Sequence, residues 1–337
     1  MPSFKPQSFA YSPECISRFA AHRLAWGLAS LMLAGCMSLP PVQSEEDRAR
    51  AEQAEQARKA ARPSAVCGAQ QARPFAFRKK VLVLALPVRR PIEAFDLPGL
   101  ATAWSDVLQQ RLQTTDRFLM RNGNSHVLDL NGNVRKQITT LAQLFDAQFV
   151  ITGQIISLGV HRGRFELGAL GSIAQPFGDR RVIETHLEIF DGQSGARLKQ
   201  LNHTTEASGT LENQGNNTLR GDFFLTPLGK AVAKMLDQQG EDVADELVCL
   251  PLQARIVRAE LKEVHIDAGF TSNIKPGDQL HVLQRLGFPG AEGGEGGQTE
   301  KVVGTLLIKQ VFPESAVGVL EGDSQPDWRL NGFVRAW

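Results

Sequence analysis

From Lys80 onward the chain acquires a strong apolar pattern. Val81-Leu82-Val83-Leu84-Ala85-Leu86 is a continuous apolar run ended by Pro87, which predicts a short strand buried on both faces. Leu100, Trp104, Val107, Leu108 and Leu112 recur at helical spacing, and Phe118-Leu119-Met120 predicts a second strand. Ile138, Leu141, Leu144 and Phe145 define another amphipathic helix, leading into a strand over residues 148–160. This β-α-β-α-β order predicts an α/β sheet flanked by helices. Residues 181–190 then alternate, with Ile183, Thr185, Leu187 and Ile189 on one face. Asp191-Gly192-Gln193-Ser194-Gly195 turns the chain into residues 198–207, a hairpin. Thr226-Pro227 opens a helix with N-cap and N1 residues in the preferred order. It carries Leu228, Val232, Met235 and Leu236, and Gly240 is expected to weaken or break it before Cys249.

After Pro251 the pattern is all-β. Short strands are predicted at residues 254–259, 263–266, 279–284, 302–312, 316–320 and 332–337. Lys275-Pro276-Gly277-Asp278 reads as a turn with Pro at i+1 and Gly at i+2, and residues 290–297 form a Gly-rich loop. The expected fold is therefore α/β, a mixed sheet with flanking helices, followed by a small all-β, barrel-like domain. The expected domains are residues 76–249 and 250–337.

The N-terminal region carries an address. Residues 1–23 are polar and mildly basic, and a 12-residue apolar stretch runs from Leu24 to Gly35, too short to span a bilayer and suited to the core of a secretory signal. It ends Leu33-Ala34-Gly35-Cys36, a bacterial lipobox pattern that predicts a signal peptide over residues 1–35 and lipidation of Cys36; a plain signal peptide cut nearby is the alternative. Ser38, close behind the lipid site, is not Asp, which points to sorting to the outer membrane. Several acyl chains anchor far more firmly than one. Residues 44–62 are strong helix formers without a large apolar side chain, with Ser44 and Asp47 in a capping-box-like arrangement. They predict a solvated helical spacer of about 25–28 Å within a segment, residues 36–75, that links anchor to body. A partner-binding helix is the alternative.

Composition narrows the function. The 337 residues carry 37 Lys+Arg and 36 Asp+Glu. Removing residues 1–35 takes Lys5, Arg18 and Arg23 but only Glu14, which turns the net charge of +1 into −1. Such a body has no electrostatic case for nucleic-acid binding, and aromatics at 7% offer few stacking platforms. Of four cysteines, Cys15 lies in the signal and Cys36 is the lipid site, leaving Cys67 and Cys249 as a disulfide candidate in an oxidising compartment. The bridge would close a loop of about 180 residues, for which the chain-entropy model gives roughly 4–5 kcal/mol; two unrelated buried thiols are the alternative.

Catalytic chemistry is sparse. The seven histidines show no metal-ligand spacing. Gly192-Gln193-Ser194-Gly195 lacks the pattern of a nucleophile elbow and makes Ser194 a turn residue; Asp191 beside it is ordinary turn chemistry. The loop 290–297 precedes a strand, so it lacks the helix N-terminus that cradles phosphate. His186, opposite Ile183 and Leu187 by alternation, is expected to face solvent or be satisfied by a neighbour. The terminal aromatic Trp337 is assigned to packing, because the long series of strands of a membrane barrel is missing. No enzyme, cofactor or metal site is predicted.

These residues carry a resemblance. The Val81–Pro87 strand, Ala147-Gln148-Phe149-Val150-Ile151-Thr152-Gly153-Gln154-Ile155 and Leu187-Glu188-Ile189-Phe190-Asp191-Gly192-Gln193-Ser194-Gly195 resemble the middle domain of the flagellar assembly protein T (FlgT) family, whose fold is similar to the N-terminal domain of TolB. Gly269-Phe270-Thr271-Ser272-Asn273-Ile274-Lys275-Pro276-Gly277-Asp278-Gln279-Leu280 is similar to that family's C-terminal domain. The family's N-terminal domain has no counterpart, the spacer standing in its place, and the family is not generally lipidated. The resemblance implies a periplasmic structural component of the flagellar basal body, with ring proteins near the L and P rings as partners and self-association into a ring. The alternatives are an outer-membrane lipoprotein that activates a peptidoglycan synthase or supports an envelope secretion complex, and a periplasmic enzyme.

Two outcomes check the N-terminal and cysteine readings. Cys36→Ser is expected to leave the protein soluble or unprocessed; pelleting with membranes would contradict the anchor. Thiol counting on denatured protein should find Cys67 and Cys249 reactive only after reduction.

Overall fold

The computed structural model describes residues 77–161, 164–166, 172–174, 180–208, 218–287, 298–321 and 332–336. The signal segment, Cys36, the 44–62 helix, Cys67, the 290–297 loop and Trp337 lie outside the described residues.

The apolar run becomes β1 (Lys79–Leu84), buried throughout. It lies parallel to β2 (Phe118–Gly123) and β3 (Phe149–Ser157), the crossovers being made by α1 (Leu100–Gln113) and α2 (Val134–Leu144). The short β4 (Val160–His161) follows, then a small antiparallel pair, β5 (Arg164–Glu166) and β6 (Ser172–Ala174). The long β7 (Arg180–Asp191) runs antiparallel to β3, and β8 (Arg197–Ser208) pairs with β7 in the predicted hairpin. The sheet order is β2-β1-β3-β7, with β4 and β8 also paired to β7. It is a mixed sheet, as the sequence pattern predicts.

Helix α1 and the last helix, α3 (Pro227–Val248), pack with Val81, Val83, Ile151, Ile183 and Leu187 into the larger core; α2 joins Leu82, Leu84, Val150 and Phe190 on the other face. The alternation of β1 thus feeds two cores from one strand. Thr226 caps α3 by accepting from the Gly229 N–H at 2.9 Å, with Pro227 at N1.

Helix α3 corrects one expectation: it runs unbroken through Gly240. Gly240 is buried, and a Cβ there would lie 3.2 Å from the Arg111 Cβ of α1. The glycine serves close helix–helix packing, which offsets its poor propensity. A buried polar chain ties the same layers. Trp104 Nε1 donates to Gln239 Oε1 at 3.0 Å, and Gln239 Nε2 donates to Thr185 Oγ1 at 2.6 Å. At the start of β7 the buried Arg181 donates to both Asp96 oxygens and to the Glu93 and Leu158 carbonyls, pinning the β1–α1 loop.

The C-terminal region closes into a six-stranded antiparallel barrel. Its strands are β9 (Leu252–Glu260), β10 (Glu263–Ile266), β11 (Gln279–Gly287), β12 (Gln298–Val311), β13 (Ala316–Glu321) and β14 (Gly332–Ala336). Around the barrel they follow the order β10-β13-β12-β11-β14-β9. Leu252, Val264, Ile266, Leu280, Leu306 and Val334 fill its interior. Gly277 takes φ +92° at the predicted turn, the left-handed conformation that position requires. Closure removes sheet edges from this region.

Gln239→Leu leaves the Trp104 N–H buried without an acceptor, and should lower the unfolding free energy by about 2 kcal/mol in urea titration. An unchanged midpoint would show that the chain contributes nothing.

Candidate functional site

The α/β sheet and the barrel meet at the amino end of β1. Phe77 packs against the barrel core, and the Arg78 N–H donates to the Ser272 carbonyl at 3.1 Å. Lys79 and Lys80 then sit buried at the mouth of an otherwise apolar strand. Lys79 Nζ donates to the Val248 carbonyl at 3.0 Å, at the end of α3. Lys80 Nζ reaches both Asp146 Oδ2 and the Asp267 carbonyl at 2.5 Å.

Asp146 is placed by an unusual helix end. The Ala147 N–H bonds to the Ala142 carbonyl at 2.8 Å and the Asp146 N–H to the Gln143 carbonyl at 3.4 Å, a Schellman motif in which the left-handed position is normally glycine. Here it is Asp146, at φ 51°. Its carboxylate also takes Arg255 at 2.8 Å and Arg121 at 3.4 Å. Arg255, on the first barrel strand, donates through Nε to Asp267 Oδ2 at 2.6 Å, and its backbone N–H to Asp267 Oδ1 at 2.7 Å. Two carboxylates and three cations therefore interlock across the seam, two of the cations coming from the α/β region and one from the barrel. Burial pushes the Asp267 carboxyl above its ordinary range; Lys80 and Arg255 oppose that shift and Asp146 adds to it.

Beside this cluster lies a cleft of about 440 Å³. Its walls include Asp146, Gln148, Gly192 and Gln193 from the α/β region and Gln253, Arg255, Asp267, Arg285 and Phe333 from the barrel. Gln148 Nε2 donates to the Pro251 carbonyl at 2.7 Å. The Arg285 guanidinium lies 4.5 Å from the Phe333 ring centre and 3.6 Å from Glu300, which holds Arg335 at 2.8 Å. A second recess, about 410 Å³, lies on the open face of the sheet near Thr152, Gln154 and His186.

Among the cleft residues the sequence marks Ala147, Gln148, the 191–195 turn and the barrel strands that carry Arg255 and Phe333, all as strand or turn; Asp146, Gln253, Asp267 and Arg285 carry no such signal. The signal that could have found the cluster is Lys79-Lys80 opening a strand buried on both faces, since such charges require partners. The sequence-predicted residues fall elsewhere. Cys249 is half-buried at the C-cap of α3, its Sγ 3.9 Å from the Asp245 carbonyl; Cys67 and Cys36 lie outside the described residues. Ser194 donates through its N–H and Oγ to Asp191 Oδ1, both at 2.7 Å, inside the hairpin turn. His186 sits 2.7 Å from Asn202 Oδ1 and 3.7 Å from Glu188. Among the described residues, no group of three or more His, Cys, Asp or Glu gathers to hold a metal, and no helix is long and apolar enough to cross a membrane.

The class defined by this architecture is a mixed α/β sheet clasped to a closed β-barrel. The family model described as flagellar assembly protein T, middle domain, matches residues 70–218, and that for the C-terminal domain of the same protein matches residues 262–327. Together the two cover more than half of the chain, and the chain belongs to the flagellar assembly protein T family. Several solved structures are also similar. The hypothetical protein CT253 from Chlamydia trachomatis is 18% identical with a TM-score of 0.35, over 51% of this chain and 98% of that one. A PelC dodecamer from Paraburkholderia phytofirmans is 13% identical with a TM-score of 0.30, over 51% and 89%. Lipoprotein GNA1162 from Neisseria meningitidis is 12% identical with a TM-score of 0.28, over 48% and 99%. Likeness at that level carries no argument about this chain. No curated protein matches it.

Lys79 gives the seam a pH signature. Burial, reinforced by the positive charge of Arg117, lowers its ammonium from the ordinary 10.5 to about 8. Between those values the unfolded chain holds more protons than the folded one, so stability rises with pH. From pH 8 to 10.5 the wild type should gain about 3 kcal/mol relative to Lys79→Met in urea titrations. Parallel pH profiles would contradict this.

Proposed function

We propose that the protein is a non-enzymatic lipoprotein of the periplasm, anchored to the outer membrane through Cys36, that helps assemble a ring of the flagellar basal body. The observation that carries this reading is the presence, in order, of the middle and C-terminal domains of one flagellar assembly family. In this reading residues 1–35 direct export and residues 36–75 form anchor and spacer. Residues 76–249 and 250–337 are then the two working domains. A lipid anchor with a helical spacer sets the body at a fixed height beneath the membrane. The sheet and the barrel offer different surfaces, and contacts between unlike surfaces of repeated copies can close into a ring. The partners are ring proteins of the basal body near the L and P rings. A Cys67–Cys249 bridge would tie the start of the body to the end of α3.

Basal bodies purified from the native host should contain the protein, and a deletion strain should lose swimming or outer-ring density. Basal bodies that lack it, from a strain that swims normally without it, would overturn the reading and direct attention to a cell-wall synthase or secretion partner.

A further inference from the structure

The buried Arg181 holds a short stretch of chain that turns apolar side chains outward. Its guanidinium grips the two Asp96 oxygens at 2.8 and 2.9 Å and the Glu93 carbonyl at 2.6 Å. Glu93 Oε2 in turn accepts the Leu158 N–H at 2.7 Å, and its Oε1 takes Arg90 at 2.7 Å. Between these ties lies a single 3₁₀ turn, Pro91–Ala94. Ile92 within it and Phe95 at its C-cap are each 79% exposed. Lone exposed apolar residues need no explanation. Here a buried ion pair, with its desolvation cost, fixes a turn whose two largest apolar side chains both face water.

The turn follows β1 at the end opposite Lys79, the end of the sheet away from the barrel. There the Arg89 N–H bonds to the Ile155 carbonyl near the end of β3. Val160, 45% exposed, pairs with Arg181 where β7 begins. Helix α3 finishes beside Lys79, so the turn before it, with Leu225 70% exposed, also lies at this end. Three separate segments thus bring exposed apolar side chains to one end of the α/β region. Cations accompany them. Residues 89–95 and 220–230 hold Arg89, Arg90, Arg220 and Lys230 against only Glu93 and Asp222, in a mature body of net charge −1. Arg89, Arg220 and Lys230 are exposed and form no ion pair among the described residues.

We propose that this end of the α/β region is a tip that sets its apolar side chains into an anionic lipid surface, with Arg89, Arg220 and Lys230 meeting the headgroup phosphates. Apolar side chains beside basic ones are the combination that binds such a surface. Ile92, Phe95, Val160 and Leu225 line neither of the clefts described above; they meet a partner as projections, which a planar lipid surface accepts. Residues 37–76 reach roughly 130 Å when extended. That exceeds several-fold the roughly 40 Å of the 12-residue β7, so a chain held at Cys36 can turn this end to the bilayer. The inference goes beyond the assembly role proposed above and draws on it only for the nearness of a membrane. A few side chains bind lipid weakly, so the tip orients an anchored protein and does not retain one that lacks its anchor.

Tryptophan fluorescence of the mature protein on vesicles tests this. Phe95→Trp and Ile92→Trp each add one indole to the tip, read as the difference from wild type, and either carries the test should the other misfold. On vesicles of phosphatidylethanolamine and phosphatidylglycerol with brominated acyl chains, the added emission should be quenched about twofold or more. Replacing those lipids by brominated phosphatidylcholine, or combining Arg89→Gln with Lys230→Gln, should remove most of that quenching. No quenching of either indole in vesicle-bound protein, or equal quenching on phosphatidylcholine, would overturn the proposal. On phosphatidylcholine the indole should stay open to aqueous iodide. Shielding from iodide without quenching by bromine would place a second copy or another segment of this chain on the tip, and would overturn the proposal as well. Mass spectrometry of the same sample reads the Cys36 acyl chains separately. An unacylated protein whose indole is quenched on the anionic vesicles would support the tip while removing the anchor.

Discussion

Two lysines at the start of a strand buried on both faces impose the constraint on which the seam depends. Lys79 and Lys80 occupy positions where charge is tolerated only with partners, and the fold supplies partners from three places. The α3 terminus offers the Val248 carbonyl, the α2 terminus offers Asp146, and the barrel offers the Asp267 carbonyl. Arg255 answers from the barrel side by holding both Asp146 and Asp267. Lys80 is buried whereas Asp146 and Arg255 stay partly exposed, so the desolvation cost falls mainly on the lysine, and the pairing contributes less to net stability than to fixing one arrangement. The seam therefore specifies how sheet and barrel meet more than it strengthens either.

The left-handed Asp146 shows the local cost of that arrangement. Glycine would suit the Schellman turn better, since a side chain at positive φ is strained. Asp is among the residues best able to tolerate it, and it alone of those choices brings a full carboxylate. The backbone conformation at the end of α2 and the electrostatics of the seam are thus settled by one residue.

Much of the fold was legible in the sequence because it rests on periodicity. The apolar run of β1, the alternation of β7 and the Thr226-Pro227 cap each map onto the observed element. Gly240 was misread because propensity is local, whereas its reason, the approach of Arg111 on α1, is tertiary. The cleft was not legible for a related reason: Gln148, Gln253, Arg285 and Asp267 are common surface residue types far apart in sequence, gathered only by the docking of the barrel. The turn at Ser194 and the pairing of His186 followed from hairpin register. The family was legible through turns and strands at fixed order, which is why it could be named from the two domains without any catalytic signature.

The central structural claim is that sheet and barrel act as one body because of the seam charges. Scanning calorimetry of the wild type beside Asp146→Gly tests it most directly, since glycine relaxes the α2 turn while deleting the carboxylate. The account predicts a single cooperative transition for the wild type and two separated transitions for Asp146→Gly, the first belonging to the less stable of the two regions. A single transition in Asp146→Gly at an equal or higher temperature would contradict it, and would show that apolar packing by Phe77 and the backbone bond to Ser272 hold the regions together without the charges.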